Sequence, residues 1–256
     1  MKIIVAVKQV AARDSALKID PSGHRIDETG LSYEVNEPDA YALEAALQLK
    51  ERHGGEVVAL SAGPAQVSQA LREALAKGAD RAIHVEVENL FSFDSLGVAR
   101  LLAAAVQPEQ PDLLLTGLQS DDLGAGQTGA IVAELLGLPH ATIVVQVDVA
   151  GAGLRVKREL EGGWYQYVEL PMPAVLAIQS GIGKLRYATL MGIRKAKTKE
   201  IRKLSAADRG IDAPANAAIE RLNWPERSKR TDMIGGSARE AAAALVEKLK
   251  FEARVL

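Results

Sequence analysis

The sequence predicts an α/β chain: a mostly parallel, doubly wound sheet with added antiparallel strands, then a C-terminal arm and helix. Three observations carry this. Short apolar runs alternate with helix-period stretches through the first half of the chain. The middle carries four strand-like runs separated by short turns. The apolar share, 48% of 256 residues, is enough to bury a full core, and the length suits one large domain or one domain plus an appendage. The expected division is an α/β domain over residues 1–204 and an arm with a closing helix over residues 205–256.

Each element has its own signal. "IIVAV" (3–7) is short and apolar throughout, as a strand buried on both faces requires. "EPDAYALEAALQLKERHGG" reads as a helix: Pro38 sits in the first turn, where a missing N–H costs nothing, Leu43 and Leu47 share a face, and Gly54-Gly55 end it. "EVVALSAG", "RAIHVEV" and "PDLLLTG" are further strands. "PAQVSQALREALAKGAD", "SFDSLGVARLLAAAVQ" and "GQTGAIVAELLGL" are the helices that follow the strands in turn. Strict β-α alternation implies a parallel sheet covered on both faces. "ATIVVQVDV", "GLRVKREL", "WYQYVEL" and "PAVLAIQS" are expected to be antiparallel strands added to the sheet or beside it. After residue 200 periodic apolar positions thin out, and an extended arm lying on another surface is expected. "SAREAAAALVEKLKFEARVL" closes the chain as a helix, with Ser237 and Glu240 spaced as a capping box and Ala244, Leu245, Leu249 and Phe251 on an apolar side.

Composition excludes several functions. There is no cysteine, so disulfides, iron–sulfur ligation and thiolate chemistry are out. The four histidines (His24, His53, His84, His140) lack ligand spacing, so no metal site is expected. No Ser-His-Asp order or carboxylate pair announces hydrolysis. A formal charge of −2 gives no global case for nucleic acid, and no nucleic-acid module appears. No apolar run approaches the roughly 18–20 residues of a membrane span. A cytoplasmic chain with no membrane insertion is expected.

"DDLGAGQTGA" (121–130) follows the strand "LLLTG" and opens a helix. Ligands of open α/β sheets bind at the carboxyl ends of their strands. The first N–H groups of a helix have no partner within it and favour an anion, while glycines let backbone approach a ligand. Gln127 and Thr128 add hydrogen-bonding side chains. The lysine of a phosphate-transferring loop is missing, so the stretch suits a phosphate held rather than moved. An ordinary glycine-rich β-α turn is the other reading of these residues alone. "NEPDA" and "AGPA" place two more polar or small loops near the same sheet edge.

A longer pattern is more specific. "VKRELEGGWYQYVELPMPAVLAIQSGIGKLRYATLMGIRKAKTKEI" (156–201), together with "VAVKQV", "NEPDAYALEAALQLKE", "LSAGPA", "ALAKGADRAIHV" and "QTGA", closely resembles the β subunits of electron transfer flavoproteins. The spacing from Val156 through Arg158 and Glu161-Gly162-Gly163 to Pro173 and Ala177 follows that family's signature, and "RYATL…KAK" its partner-binding loop. The resemblance covers most of the chain and is weakest after about residue 205. It implies an αβ heterodimer with one FAD that shuttles electrons. The α subunit would hold most of the FAD. The β subunit would have an adenine-nucleotide-binding, Rossmann-like fold, bury one AMP without redox role, and carry no catalytic residue. On this resemblance the AMP site takes Ala6; Asn36, Glu37, Pro38 and Asp39; Ala62; and Asp122 and Leu123 through Gly126, Gln127, Thr128 and Gly129. The donors would be flavin-dependent dehydrogenases such as acyl-CoA dehydrogenases, and the acceptor a quinone oxidoreductase. Two departures stand out: "LGAG" (123–126) replaces further acids and an asparagine, and "AARDSAL" lacks the tyrosine many members carry near the flavin.

In the loop 181–199 the resemblance makes Leu190 an anchor for the electron donor, with Met191 beside it and Arg186 and Lys195 among the surrounding cations. Physically, one exposed leucine contributes ~1.5–3 kcal/mol when buried, while the charges mainly speed encounter. A solvated cationic helix is the plainer reading. Glu159 is carried over as the acid facing an arginine of the α subunit; a surface carboxylate is its plainer reading. Two other functions are weighed. Some relatives hold a second FAD in place of AMP and bifurcate electrons; their loop tends to read Gln-Val-Gly-Pro, where this chain has "QTGA". A free-standing ATP-binding or adenylyl-transfer protein of the same fold is the third; its adenylating members use a Ser-Gly-Gly-x-Asp-Ser loop that "KQVAARDS" does not supply.

Overall fold

A computed structural model describes residues 1–206, 216–225 and 231–255. Two compact units are described, Met1–Glu220 and Arg221–Leu256. In the first, β1 (Lys2–Ala6) is followed by a small antiparallel pair, β2 (Gln9–Ala11) and β3 (Tyr33–Val35), and then by α1 (Glu37–His53). Next come β4 (Glu56–Gly63), α2 (Ser68–Lys77), β5 (Arg81–Glu86), α3 (Ser95–Val106), β6 (Leu113–Gly117) and α4 (Thr128–Leu136). β7 (His140–Ala150), β8 (Gly153–Glu159), β9 (Tyr165–Pro171), β10 (Ala174–Ile178), α5 (Leu190–Ala196) and β11 (Ile201–Ser205) complete it.

The large sheet has nine strands in the order β11-β5-β4-β1-β6-β10-β7-β8-β9. From β11 to β7 every neighbouring pair is parallel; β7-β8 and β8-β9 are antiparallel. α1 and α2 bury their apolar sides on one face through Leu43, Leu47, Leu71 and Leu75, against Ile3, Val5, Val57 and Leu115. α3 and α4 cover the other face through Leu101, Leu102 and Val132, against Ile4, Val58, Ile83 and Leu114. Alternate residues of β1 and β6 thus point to opposite covered faces, which is why both strands read as unbroken apolar runs. The chain leaves β1 toward β4 over one face and returns from β5 to β6 over the other, so the winding reverses at β1/β6.

One strand expectation is corrected. "PAVLAIQS" and "ATIVVQVDV" are not antiparallel additions: β10 inserts between β6 and β7 and runs parallel to both, and only β8 and β9 form an antiparallel margin. Short turns link β7 to β8, and the 3₁₀ turn Glu161–Gly163 leads into β9. β10 then crosses back past two strands, and sequence order does not reveal that. The order expected to thin after residue 200 persists as β11, which extends the parallel edge. Part of the expected arm, residues 207–215 and 226–230, lies outside the described residues.

At the amino edge of the sheet, Glu109 gathers cations from three strands. Its carboxylate lies 2.7 Å from Lys2 Nζ, 2.7 Å from Arg81 Nη2 and 3.1 Å from Arg202 Nη1. Burial works to raise its pKa, but the Arg81 and Lys2 hydrogen bonds override it and hold the carboxyl at about 2. In the second unit, α6 (Ala238–Glu247) has the expected capping box: Ser237 Oγ accepts from Glu240 N, and Ser237 N donates to Glu240 Oε2 at 2.8 Å. Leu245, Val246 and Phe251 are exposed in that unit.

Candidate functional site

The parallel strands β1, β4 and β6 present their carboxyl ends, Ala6, Gly63 and Gly117, to one edge. Strand polarity and the reversal of winding open a crevice there without any special side chain. Two residues at the start of α1 knit its rim. Asp39 Oδ2 accepts from Lys8 N at 2.8 Å and its Oδ1 from Gly117 N at 2.9 Å, joining the ends of β1 and β6. Asn36 donates through Nδ2 to Gln119 O at 3.0 Å and accepts at Oδ1 from Asp121 N at 2.9 Å. Asn36 N donates in turn to Lys8 O at 2.9 Å. Both side chains are buried. Burial pushes the Asp39 carboxyl up to about 7, although the hydrogen bonds from Lys8 N, Asn36 and Gly117 N pull it down.

Glycine makes this closeness possible. A Cβ on Gly117 would stand 2.3 Å from Asp39 Oδ1 and 2.8 Å from Asp39 N, so any side chain would push α1 off the strand. A Cβ on Gly129 would stand 2.6 Å from Thr116 Oγ1, so the first turn of α4 lies directly on β6. Thr116 Oγ1 is buried there with no hydrogen-bond partner. Across the crevice, Ser61 Oγ donates to Val7 O at 2.6 Å, and the buried His84 bonds Gly63 O through Nε2 at 2.9 Å. These bonds set the backbone on either side of Ala62.

The residues expected to hold AMP therefore converge. Ala6 and Ala62 end neighbouring strands, Asn36, Glu37, Pro38 and Asp39 open α1, and Asp122 to Gly129 run from the β6 loop into α4. Within that run Leu123, Gly126 and Gln127 are exposed, Thr128 is half-buried and Gly129 is buried. Gln127 makes no side-chain cap to α4. The donor set fits an anionic ligand such as a nucleotide phosphate: a helix start that Gln127 does not cap, and glycines at 124 and 126 whose backbone is open to approach.

Two residues that the sequence did not single out join the crevice. Lys8 Nζ lies 2.6 Å from Asp122 Oδ1 and 3.3 Å from Ser120 Oγ. Arg13 Nη2 bonds Glu37 and also reaches Asp121 Oδ2, at 3.3 Å. The sequence hint for Lys8 was its place directly after an apolar strand. What it meets, over a hundred residues further on, appears only in the fold.

The loop 181–199 is placed elsewhere. Lys199 Nζ donates to Leu75 O at 3.1 Å and to Ala79 O, and Arg72 Nη1 donates to Lys199 O at 2.8 Å. α5 thus sits on the C-terminal end of α2, near the amino edge of the sheet and away from the carboxyl-edge crevice. Leu190 is 82% exposed and Met191 66%, unusual for large apolar side chains in a helix that packs. Tyr187 and Lys195 are exposed beside them. Arg186 is not: its Nε bonds Glu44 Oε2 at 2.8 Å, its Nη2 bonds Glu44 Oε1 at 3.0 Å and its Nη1 bonds Glu51 Oε1 at 2.6 Å. The two carboxylates raise its pKa further, and its charge is spent on α1. Glu159 ends β8, half-buried and paired with Tyr165 on the outermost strand. No helix among the described residues is long and apolar enough to cross a membrane, and no group of His, Cys, Asp and Glu among them could hold a metal ion.

The fold is that of a doubly wound α/β chain with its topological switch point at the carboxyl edge of β1 and β6. The sequence model of the electron transfer flavoprotein domain matches residues 24–209. Among similar chains is the electron transfer flavoprotein subunit beta of Methylophilus methylotrophus, 40% identical over 96% of this chain and 97% of its own. The subunit of the same name from Bradyrhizobium diazoefficiens is 38% identical over the full length of both chains. That from Homo sapiens is 36% identical over all of this chain and 99% of its own. The chain belongs to the electron transfer flavoprotein β-subunit family.

Proposed function

We propose that this chain is the β subunit of a heterodimeric electron transfer flavoprotein. With an α subunit it completes the site of one FAD, which supplies the redox chemistry when bound. It takes electrons from flavin-dependent dehydrogenases, such as acyl-CoA dehydrogenases, and hands them to a quinone oxidoreductase. The full-length similarity to β subunits carries this reading.

In the same proposal AMP occupies the crevice at the ends of β1, β4 and β6. The start of α1, held by Asn36 and Asp39, and the backbone at Ala6 and Ala62 would line it. The α4 start, with Gln127, Thr128 and Gly129, would take the phosphate on unsatisfied N–H groups. AMP is structural: it fills a crevice whose rim is already bonded together and brings no electron. The carrier does no chemistry of its own; α5 offers Leu190 and Met191 to the electron donor, with Lys195 among the steering charges, and Glu159 faces the α subunit.

The test is to purify the chain with its α subunit, denature the complex and quantify the released nucleotides. One FAD and one AMP per heterodimer is the expected result. Two FAD and no AMP would place a second flavin in the crevice, and ATP on an isolated colourless chain would remove the carrier reading.

A further inference from the structure

The crevice poses an electrostatic problem that the proposed function leaves open. A phosphate monoester carries about −1.5 to −2 charges at neutral pH. The loop from Leu118 to Gly129 contributes Asp121 and Asp122 and no basic residue, and Glu37 and Asp39 stand at the start of α1. A helix N-terminus contributes only about half a positive charge. A dianion among four carboxyls needs a cation from elsewhere in the chain.

Lys8 stands where that cation is needed. Its backbone is pinned on both sides, N–H to Asp39 at 2.8 Å and carbonyl from Asn36 N at 2.9 Å, so the root of the side chain is fixed in the rim. Its side chain is 30% exposed, against 62% for Arg13, the other cation nearby. The ammonium has three donors. Two meet Asp122 and Ser120, at 2.6 and 3.3 Å, and both partners lie in the loop that leads into α4. The more exposed Arg13 guanidinium is instead turned to Glu37 and Asp121. A second observation stands at the other end of this loop: Thr116 Oγ1 is buried without a hydrogen-bond partner directly beneath the first turn of α4.

We infer that Lys8 is the phosphate-binding cation of the nucleotide site, doing from the end of β1 what a phosphate loop's own lysine does elsewhere. This rests on the AMP reading above and adds to it the residue that distinguishes a nucleotide from a nucleoside. Asp122 holds the ammonium over the loop when no phosphate is present; with phosphate bound, the third donor and the Asp122 bond together keep the charge in place.

The experiment compares AMP with adenosine by calorimetry on the nucleotide-stripped heterodimer. Adenosine lacks the phosphate and reports the rest of the site. In Lys8→Met, AMP should bind about 10–100-fold more weakly, the range of one lost charged hydrogen bond, while adenosine changes little. Lys8→Arg should keep most of the preference for AMP. Equal weakening of both ligands would make Lys8 a structural residue of the rim and overturn the inference, as would unchanged AMP binding. Should Lys8→Met not fold, Asp122→Asn decides: freeing Lys8 of its carboxylate should strengthen AMP relative to adenosine, and a parallel loss of both would sink the idea. A wild-type complex that binds neither ligand removes the nucleotide reading itself, and the role of Lys8 with it.

Discussion

Asp39 joins two strands and a helix through two backbone N–H groups, from Lys8 and Gly117. Asp39→Ala strands both donors in a buried rim, at ~1–3 kcal/mol for each unsatisfied group. A lower melting temperature and loss of AMP from the purified complex are expected; a variant that keeps both would show the rim to be redundant. The pH signs of two carboxyls run in opposite directions. Asp39 is raised to about 7, so it disfavours the folded state increasingly as pH rises from about 4 to 7. Glu109 is held at about 2, so its stabilisation is present above its unfolded value near 4.5 and is lost as pH falls toward 2. That difference corresponds to about 3 kcal/mol. Glu109→Gln should therefore flatten the acid limb of stability measured by urea denaturation between about pH 5 and 2. An unchanged limb would mean that other groups drive acid unfolding.

At the scale of the element, α5 shows how a short helix can be held while its large apolar side chains stay exposed. Seven residues cannot hold a helix in water by propensity. Thr189 caps it by accepting from Gly192 N, and Arg72 and Lys199 tie its C-terminal end to α2. Arg186 fastens the irregular segment before it to α1. With its own ends secured, α5 can leave Leu190 and Met191 in solvent. Leu190→Ala should raise the KM for the reduced dehydrogenase about tenfold, as loss of a buried anchor would, while kcat for electron transfer changes less. Arg186→Ala should weaken the same reaction by loosening the loop, and its salt dependence should stay near wild type because that charge faces α1. A flattened salt dependence would instead make Arg186 a steering cation. In α6, Ser237→Ala removes one half of the capping box and should cost ~0.5–2 kcal/mol of helix stability, read by circular dichroism on heating.

For the whole molecule, the sheet separates the two proposed sites by its polarity. The carboxyl edge holds the proposed AMP site, because strands β1, β4 and β6 all end there and α1 and α4 start there. The amino edge carries the Glu109 cluster and, over α2, the exposed side chains of α5. If the proposed function holds, docking at α5 leaves the AMP site undisturbed. Dehydrogenase-coupled electron transfer by a complex depleted of AMP should lose stability first and the KM for the donor last; a KM that tracks AMP occupancy would show the two edges to be coupled.

The α/β class, the helices, the capping box and the glycine-rich loop were legible because each depends on local periodicity or on residues a few positions apart. The family was legible because its motifs are long. The parallel placement of β10 between β6 and β7 was not, since strand order depends on a crossover and not on the strand's own residues. Arg186 showed the same limit: its sequence neighbourhood is basic, yet Glu44 and Glu51, more than 130 positions away, absorb its charge. Lys8 is the counterpart, an ordinary lysine after a strand until the fold lays Asp122 against it. The sequence by itself determined which segments fold and which family they belong to, because those properties are written in short-range patterns. Which charges are spent and which stay available was decided by the tertiary structure alone, because Coulomb and hydrogen-bond energies depend on distance in space.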